Sequence, residues 1–132
     1  MQAKTKGTRA ERELVHKFWA DGWTAMRAPG SGSIRYPCPD ILAGNVKTNR
    51  RLAIECKSTG SEKQYLDNKE IKELRQFSQM FGAESWVGVR FDNDDWYFLM
   101  LEDLQPTKGD NYVVDLELAK RKGLLYEELV KK

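Results

Sequence analysis

Apolar positions recur along the 132-residue chain with two periods, 3.6 and 2, and their alternation predicts the order of elements. Leu14, Val15 and Phe18 form one stripe of a helix that ends at Asp21-Gly22. Thr8 and Glu11 have the spacing of a capping box, so this helix is expected to run from Thr8 to about Ala20, preceded by a mobile basic arm over residues 1 to 7 that carries Lys4 and Lys6. Trp23 to Arg27 reads as a strand. A short apolar run opened by Asp40 pairs with Arg51 to Lys57 through the polar turn at Asn45 to Arg50. In that second strand Leu52, Ile54 and Cys56 lie on one face and Arg51, Ala53, Glu55 and Lys57 on the other. Ile71, Leu74, Phe77, Ser78 and Phe81 then follow helical spacing from Asn68 until Gly82 ends the run. Trp86 to Phe91 and Trp96 to Leu101 are strands joined by the acidic turn at 92 to 95. Residues 106 to 111 form a loop, Tyr112 to Val114 a short extended piece, and Leu124 to Val130 a closing helical turn or two. The fold class is α/β, a central mixed β-sheet flanked by helices.

Composition adds bounds to this picture. The length is that of one domain, and 40% hydrophobic content supports one core. No apolar run is long enough for a membrane span, and the polar, basic amino terminus lacks a signal peptide's apolar segment, so the protein is expected to be soluble and cytoplasmic. Cys38, Cys56 and His16 do not make a zinc set, and Cys56 reads as a small buried hydrophobe; no disulfide is expected. The overall charge of +2 hides an asymmetry. Residues 1 to 57 carry eleven Lys/Arg against five Asp/Glu, and residues 58 to 132 eleven against fifteen. A basic half of this kind suits a polyanionic partner, or is a dipolar surface without function.

The candidate chemistry sits in the basic half. Glu55 and Lys57 point the same way, about 6.6 to 7 Å apart along their strand. The hairpin brings Asp40 beside them. Two carboxylates and an ammonium can hold a hard divalent cation and steady a water or oxyanion, although Glu55 and Lys57 could equally form a plain surface ion pair. Glu11 shares the inward face of the first helix, either as a cap carboxylate or as a third acid. Between Arg27 and Arg35 lies Ala28-Pro29-Gly30-Ser31-Gly32-Ser33, a flexible loop or a phosphate-contacting one. Phe77, Met80 and Phe81 form an apolar patch that serves either the core or an interface.

Pro39-Asp40, fourteen residues, and Glu55-Cys56-Lys57 match the pattern of the PD-(D/E)xK nucleases. With Gly7-Thr8-Arg9-Ala10-Glu11-Arg12-Glu13, Arg27 to Ser33, and Phe77-Ser78-Gln79-Met80-Phe81-Gly82 in the same order, nearly the whole chain resembles the archaeal Holliday junction resolvases, a branch of that superfamily. The resemblance implies a single nuclease domain with a restriction-endonuclease-like fold, a homodimer, and Mg²⁺-dependent nicking of two strands at a four-way DNA junction in recombination and repair. It implies one or two Mg²⁺ ions per site, replaceable by Mn²⁺. Carried over by position, Glu11, Asp40 and Glu55 look like metal ligands, Lys57 like the catalytic lysine and Ser31 like the serine of a mobile loop. Arg9, Arg12, Arg27 and Arg35, with Lys4 and Lys6 of the arm, look like DNA contacts; Phe77, Met80 and Phe81 look like interface residues. Residues 123 to 128 lack the glutamine-led, aromatic-ended peptide that binds sliding clamps. A restriction-type or general DNA nuclease, or a non-catalytic junction-binding module, are the alternative readings.

Overall fold

The computed structural model describes residues 2–28, 35–92 and 94–131, with the side chains of residues 2–6 left out. Ser31 and its neighbours at 29–34 therefore lie outside the described residues, as do the side chains of Lys4 and Lys6. Helix α1, Gln2–Ala20, leads to β1, Thr24–Arg27, then to the hairpin β2, Ile41–Asn45, and β3, Arg50–Thr59. Strand β4, Lys63–Leu66, precedes α2, Asn68–Phe81; β5, Glu84–Phe91, and β6, Trp96–Leu99, follow. A 3₁₀ turn at Leu101–Asp103, β7 at Gln105–Pro106, β8 at Tyr112–Asp115, α3 at Leu116–Lys122 and α4 at Tyr126–Lys131 complete the chain.

Five strands form the main sheet in the order β1-β2-β3-β5-β6. The β3–β5 pair is parallel and the other three pairs are antiparallel, so the sheet is mixed as the pattern predicts. Its two faces carry two cores. Leu52, Ile54 and Cys56 pack with Ala10, Leu14 and Phe18 of α1 and Tyr126 and Leu129 of α4. Ala53, Val87 and Val89 pack with Ile71 and Leu74 of α2 and Leu118 of α3 on the other side. Leu14 and Phe18 retain none of their accessible surface; truncating Phe18 to alanine would cost about 3–5 kcal/mol. Strand β3 therefore has no solvent face along most of its length. Its polar residues, Glu55 and Lys57, emerge where the apolar covering of the α2 side gives way.

Several expectations are corrected. The first helix begins at Gln2, so residues 2 to 7, expected as an arm, are its first turns and Thr8 lies inside it rather than at its cap. Gln, Ala and Lys are good helix formers, and a helix already running gains a hydrogen bond per residue where a new cap would gain one. The capping box lies instead at the start of α2, where Asp67 is the N-cap and Glu70 the third helical residue. The end of α2 is as predicted: Gly82 closes it in the left-handed conformation, φ 85°, which glycine adopts without steric cost. The extended piece expected at Tyr112 to Val114 is β8, but its pairing with β4 and β7 in a second, three-stranded sheet has no counterpart in the predicted order, and neither does α3, capped by Asp115. The strand expected to reach Leu101 stops at Leu99.

Candidate active site

The hairpin places the first two acids. Asp40 sits just before β2, and its N–H donates to the carbonyl of Ile54 at 3.0 Å, continuing the β2–β3 ladder by one residue. Its carboxylate turns onto the backbone of β3, where Cys56 N–H donates to Asp40 Oδ2 at 2.8 Å. The acid is thereby fixed against the strand that carries Glu55 and Lys57. Because side chains alternate, Cys56 enters the α1-side core while Glu55 and Lys57 face the α2 side. Cys38 and Cys56 are both free thiols.

Glu55 keeps only 15% of its side-chain surface. Burial, then the negative charge of Asp40, push its carboxyl up to about 9, against the opposing pull of Lys57. Lys57 Nζ stands 4.0 Å from Glu55 Oε2 but only 2.6 Å from Glu70 Oε2. Burial alone would push that ammonium down; the hydrogen bond and charge of Glu70, with Glu55 and Asp40 behind it, outweigh burial and raise it. Lys57 stays charged throughout the physiological range.

Glu11 reaches the site from the other side of the sheet, on α1. Arg27 Nε–H of β1 donates to Glu11 Oε1 at 3.1 Å. Burial first and Asp40 second raise the Glu11 carboxyl, with Arg27 pulling it down. Asp40 is thus the common neighbour of Glu11 and Glu55, which lie on opposite faces. Among the described residues no three His, Cys, Asp or Glu side chains converge tightly enough to hold a metal ion. The structure brings together Asp40, Glu55 and Lys57, and attaches Glu11 to them through Asp40 and Arg27.

The predicted DNA contacts divide by position. Arg9 and Arg12 are exposed on α1, and Arg9 borders a cleft of about 410 Å³ that Ser58 and Arg90, paired across the ends of β3 and β5, also line. Arg27 is not a free surface cation but the partner of Glu11. Arg35 is exposed, its guanidinium 6.0 Å from the centroid of the Tyr36 ring. Glu70 is the site residue that the sequence reading did not single out; its capping-box spacing after Asp67 was the available signal. Phe77 and Phe81 stack at 5.3 Å between centroids, and Phe81 and Met80 keep 48% and 81% of their surface. Phe77 is partly buried against the α2-side core.

Similarity to known proteins agrees with this geometry. Residues 2–132 match the profile of the family described as archaeal Holliday junction resolvase (Hjc). Among curated proteins, the chain is 38% identical over 132 residues to the crossover junction endodeoxyribonuclease Hjc of Archaeoglobus fulgidus, covering 95% of both chains. It is 35% identical to the protein of the same description from Sulfolobus acidocaldarius, covering 99% of this chain and 90% of the other. Among solved structures, that of the Archaeoglobus fulgidus resolvase superposes with a TM-score of 0.84 at 35% identity, over 96% of this chain and 97% of that one. With its mixed sheet, its acid-and-lysine hairpin and a family match spanning residues 2–132, the chain belongs to the archaeal Holliday junction resolvase (Hjc) family.

Proposed function

We propose that this protein is an endodeoxyribonuclease that resolves four-way DNA junctions by Mg²⁺-dependent hydrolysis, working as a homodimer that makes paired symmetric nicks. The observation that carries the reading is the hairpin pair: Asp40 is held on β3 by the Cys56 amide at 2.8 Å, beside a Glu55 whose carboxyl burial and then the charge of Asp40 push up, with Lys57 two residues on. Two partly buried carboxylates that repel each other fit a hard divalent cation, which removes the repulsion and accepts oxygen ligands. Nucleases of this family depend on a divalent metal. Asp40 and Glu55 would hold it, with Glu11 joining from the α1 side on leaving Arg27. When bound, the ion supplies a Lewis acid for the phosphate and lowers the pKa of a coordinated water.

The chain's own residues supply the rest. Asp40, pinned by the Cys56 amide, would hold the ion against β3. Lys57 remains protonated and balances the charge that grows on the phosphorus oxygens or orients the attacking water. Arg27, once Glu11 is engaged elsewhere, is a guanidinium at the rim of the site for the flanking phosphate. Ser31, between β1 and Asp40 in the sequence, is proposed to donate to the scissile phosphate once the branch is bound. Arg9, Arg12 and Arg35, with Lys4 and Lys6, bind phosphates along the arms. Recognition then rests on backbone charge and branch shape rather than on base sequence.

The homodimer reading rests on α2. The stacked Phe77–Phe81 pair and exposed Met80 adjoin an apolar groove of about 630 Å³, lined by Met26, Leu42, Val46 and Phe81 among others. An exposed apolar face of this kind suits a two-fold pair, and two nicks require two sites. The decisive experiment is cleavage of end-labelled four-way junction, linear duplex and single strand, each with and without Mg²⁺. Junction-selective, Mg²⁺-dependent, paired nicking is expected. Equal cutting of linear duplex at moderate salt would favour a general nuclease, and binding without cutting a junction-binding module.

A further inference from the structure

We infer that Glu70 is the positioning residue of Lys57, holding the ammonium in the aim that the reaction uses. This inference rests on the proposed nuclease site. Glu70 belongs to α2, and each of its carboxylate oxygens has a separate partner. Oε1 accepts from Asp67 N–H at 3.1 Å as part of the helix cap, and Oε2 accepts from Lys57 Nζ at 2.6 Å. The cap fixes the carboxylate. Asp67 Oδ1 in turn accepts from Lys69 N–H at 3.0 Å, and Asn68 N–H donates to Asn111 Oδ1 at 2.9 Å, so the first turn of α2 is anchored at both its cap and the β8 side.

A lysine side chain has four rotatable bonds and a mobile head. Lys57 has a second carboxylate available, Glu55 at 4.0 Å, and yet its short contact is to Glu70. The geometry therefore divides the work between the two acids. Glu70 takes the short contact with the lysine while also lying within hydrogen-bonding reach of the Glu55 carboxyl, and Glu55, beside Asp40, remains a ligand for a cation. Without Glu70 the ammonium would collapse onto Glu55, occupying the carboxylate that is needed as a ligand.

Glu70→Gln is the informative substitution, because glutamine at the third helical position supports a capping box as glutamate does. It keeps the cap and removes the charge that holds Lys57. The expected result is an unchanged melting temperature and unchanged junction affinity, with the single-turnover cleavage rate at saturating enzyme and Mg²⁺ lowered by about 10- to 100-fold. Higher Mg²⁺ should recover part of the loss, as the ion competes with the displaced lysine for Glu55. A readout independent of cleavage is the ¹⁵N resonance of the Lys57 ammonium in the metal-free protein, which should be ordered in the parent and shifted or broadened in Glu70→Gln. Asp67→Ala is the control: it removes the side-chain acceptor of Lys69 N–H but keeps the backbone N–H that holds Glu70 Oε1, so it should lower stability and spare the rate. Parent-like cleavage by Glu70→Gln, or a rate lost equally in Asp67→Ala, would overturn the inference. If the parent itself leaves junctions uncut while binding them, the nuclease reading fails instead; Lys57→Ala and Asp40→Ala run alongside keep the two failures apart.

Discussion

Glu55→Gln should make the metal-free protein more stable at alkaline pH, by an amount that the buried site sets. Glu55 is pushed up to about 9 by burial and by Asp40, whereas in the unfolded chain it titrates near 4.5. The folded state therefore binds this proton more tightly than the unfolded one. Stability is fullest below about pH 4.5, where both states are protonated, and it is lost as pH rises towards 9. At 1.36 kcal/mol per unit, the loss accumulated by pH 7 is on the order of 3 kcal/mol, a large part of the ~5–15 kcal/mol that holds a typical domain together. Glu11, also raised, acts in the same sense. Lys57 does not offset it, because a lysine titrating above 10.5 keeps its charge across this range. Glutamine keeps the shape and abolishes the titration. Urea midpoints in chelator from pH 5 to 9 should fall with pH for the parent and much less for Glu55→Gln, the curves converging near pH 5. Mg²⁺ should restore the parent at pH 8 and release close to one proton per site at pH 7, readable in a weakly buffered dye solution. A parent stability that is flat or rising over this range, without metal, would refute the reasoning.

Three other outcomes follow from the same structure. Asp40→Ala removes a proposed ligand and the acceptor of the Cys56 amide, so cleavage should fall by about 100-fold or more while junction affinity holds or rises, as gel shift and single-turnover assays in Mg²⁺ or Ca²⁺ would show. Phe81→Asp sets a charge on a half-exposed ring; sedimentation at micromolar concentration should find monomers of near-parental melting temperature, and an intact dimer would move the interface elsewhere. Ser31→Ala should keep junction binding and slow cleavage by about one to three orders of magnitude, with Ser33→Ala unaffected; equal rates for both would leave Ser31 without a catalytic part.

What could be read from the chain follows the range of the interactions. Asp40, Glu55 and Lys57 were legible because a hairpin is local: a polar turn and period-2 alternation suffice to set the three side by side. Helix α2 was legible for the same reason, as Ile71, Leu74 and Ser78 repeat with one helical period and Gly82 stops them. Glu70 was hidden among Lys69, Lys72 and Glu73, which look like the solvated charges of any surface helix; its contact with Lys57 depends on how α2 docks on β3. The capping box at Thr8 failed because spacing alone does not exclude a helix that simply starts earlier. Of the sheet β4-β8-β7 only the extended piece at Tyr112 to Val114 was legible, because strands of two to four residues carry almost no period and Lys63 pairs with Asp115, 52 residues on. The opposite placement of Glu11 and Glu55 is likewise a property of the sheet, since the helical stripe tells which way Glu11 points but not which face of β3 receives it.

Helix α2 carries two jobs at two addresses. Near its start Glu70 grips Lys57; at its end Phe77 and Phe81 offer the apolar face. From Glu70 to Phe81 the rise of an α-helix spans about 16 Å, with no glycine or proline between them to bend it. In a two-fold pair closed through the phenylalanines, this rod acts as a ruler. It would set how far each proposed cutting centre stands from the symmetry axis, and so the stagger between the two nicks. A whole added turn would lengthen it by about 5.4 Å, more than the ~3.4 Å between successive nucleotides of a strand. On the proposed dimer, the register of the cuts would then be written into the length of one helix rather than into any residue that touches DNA.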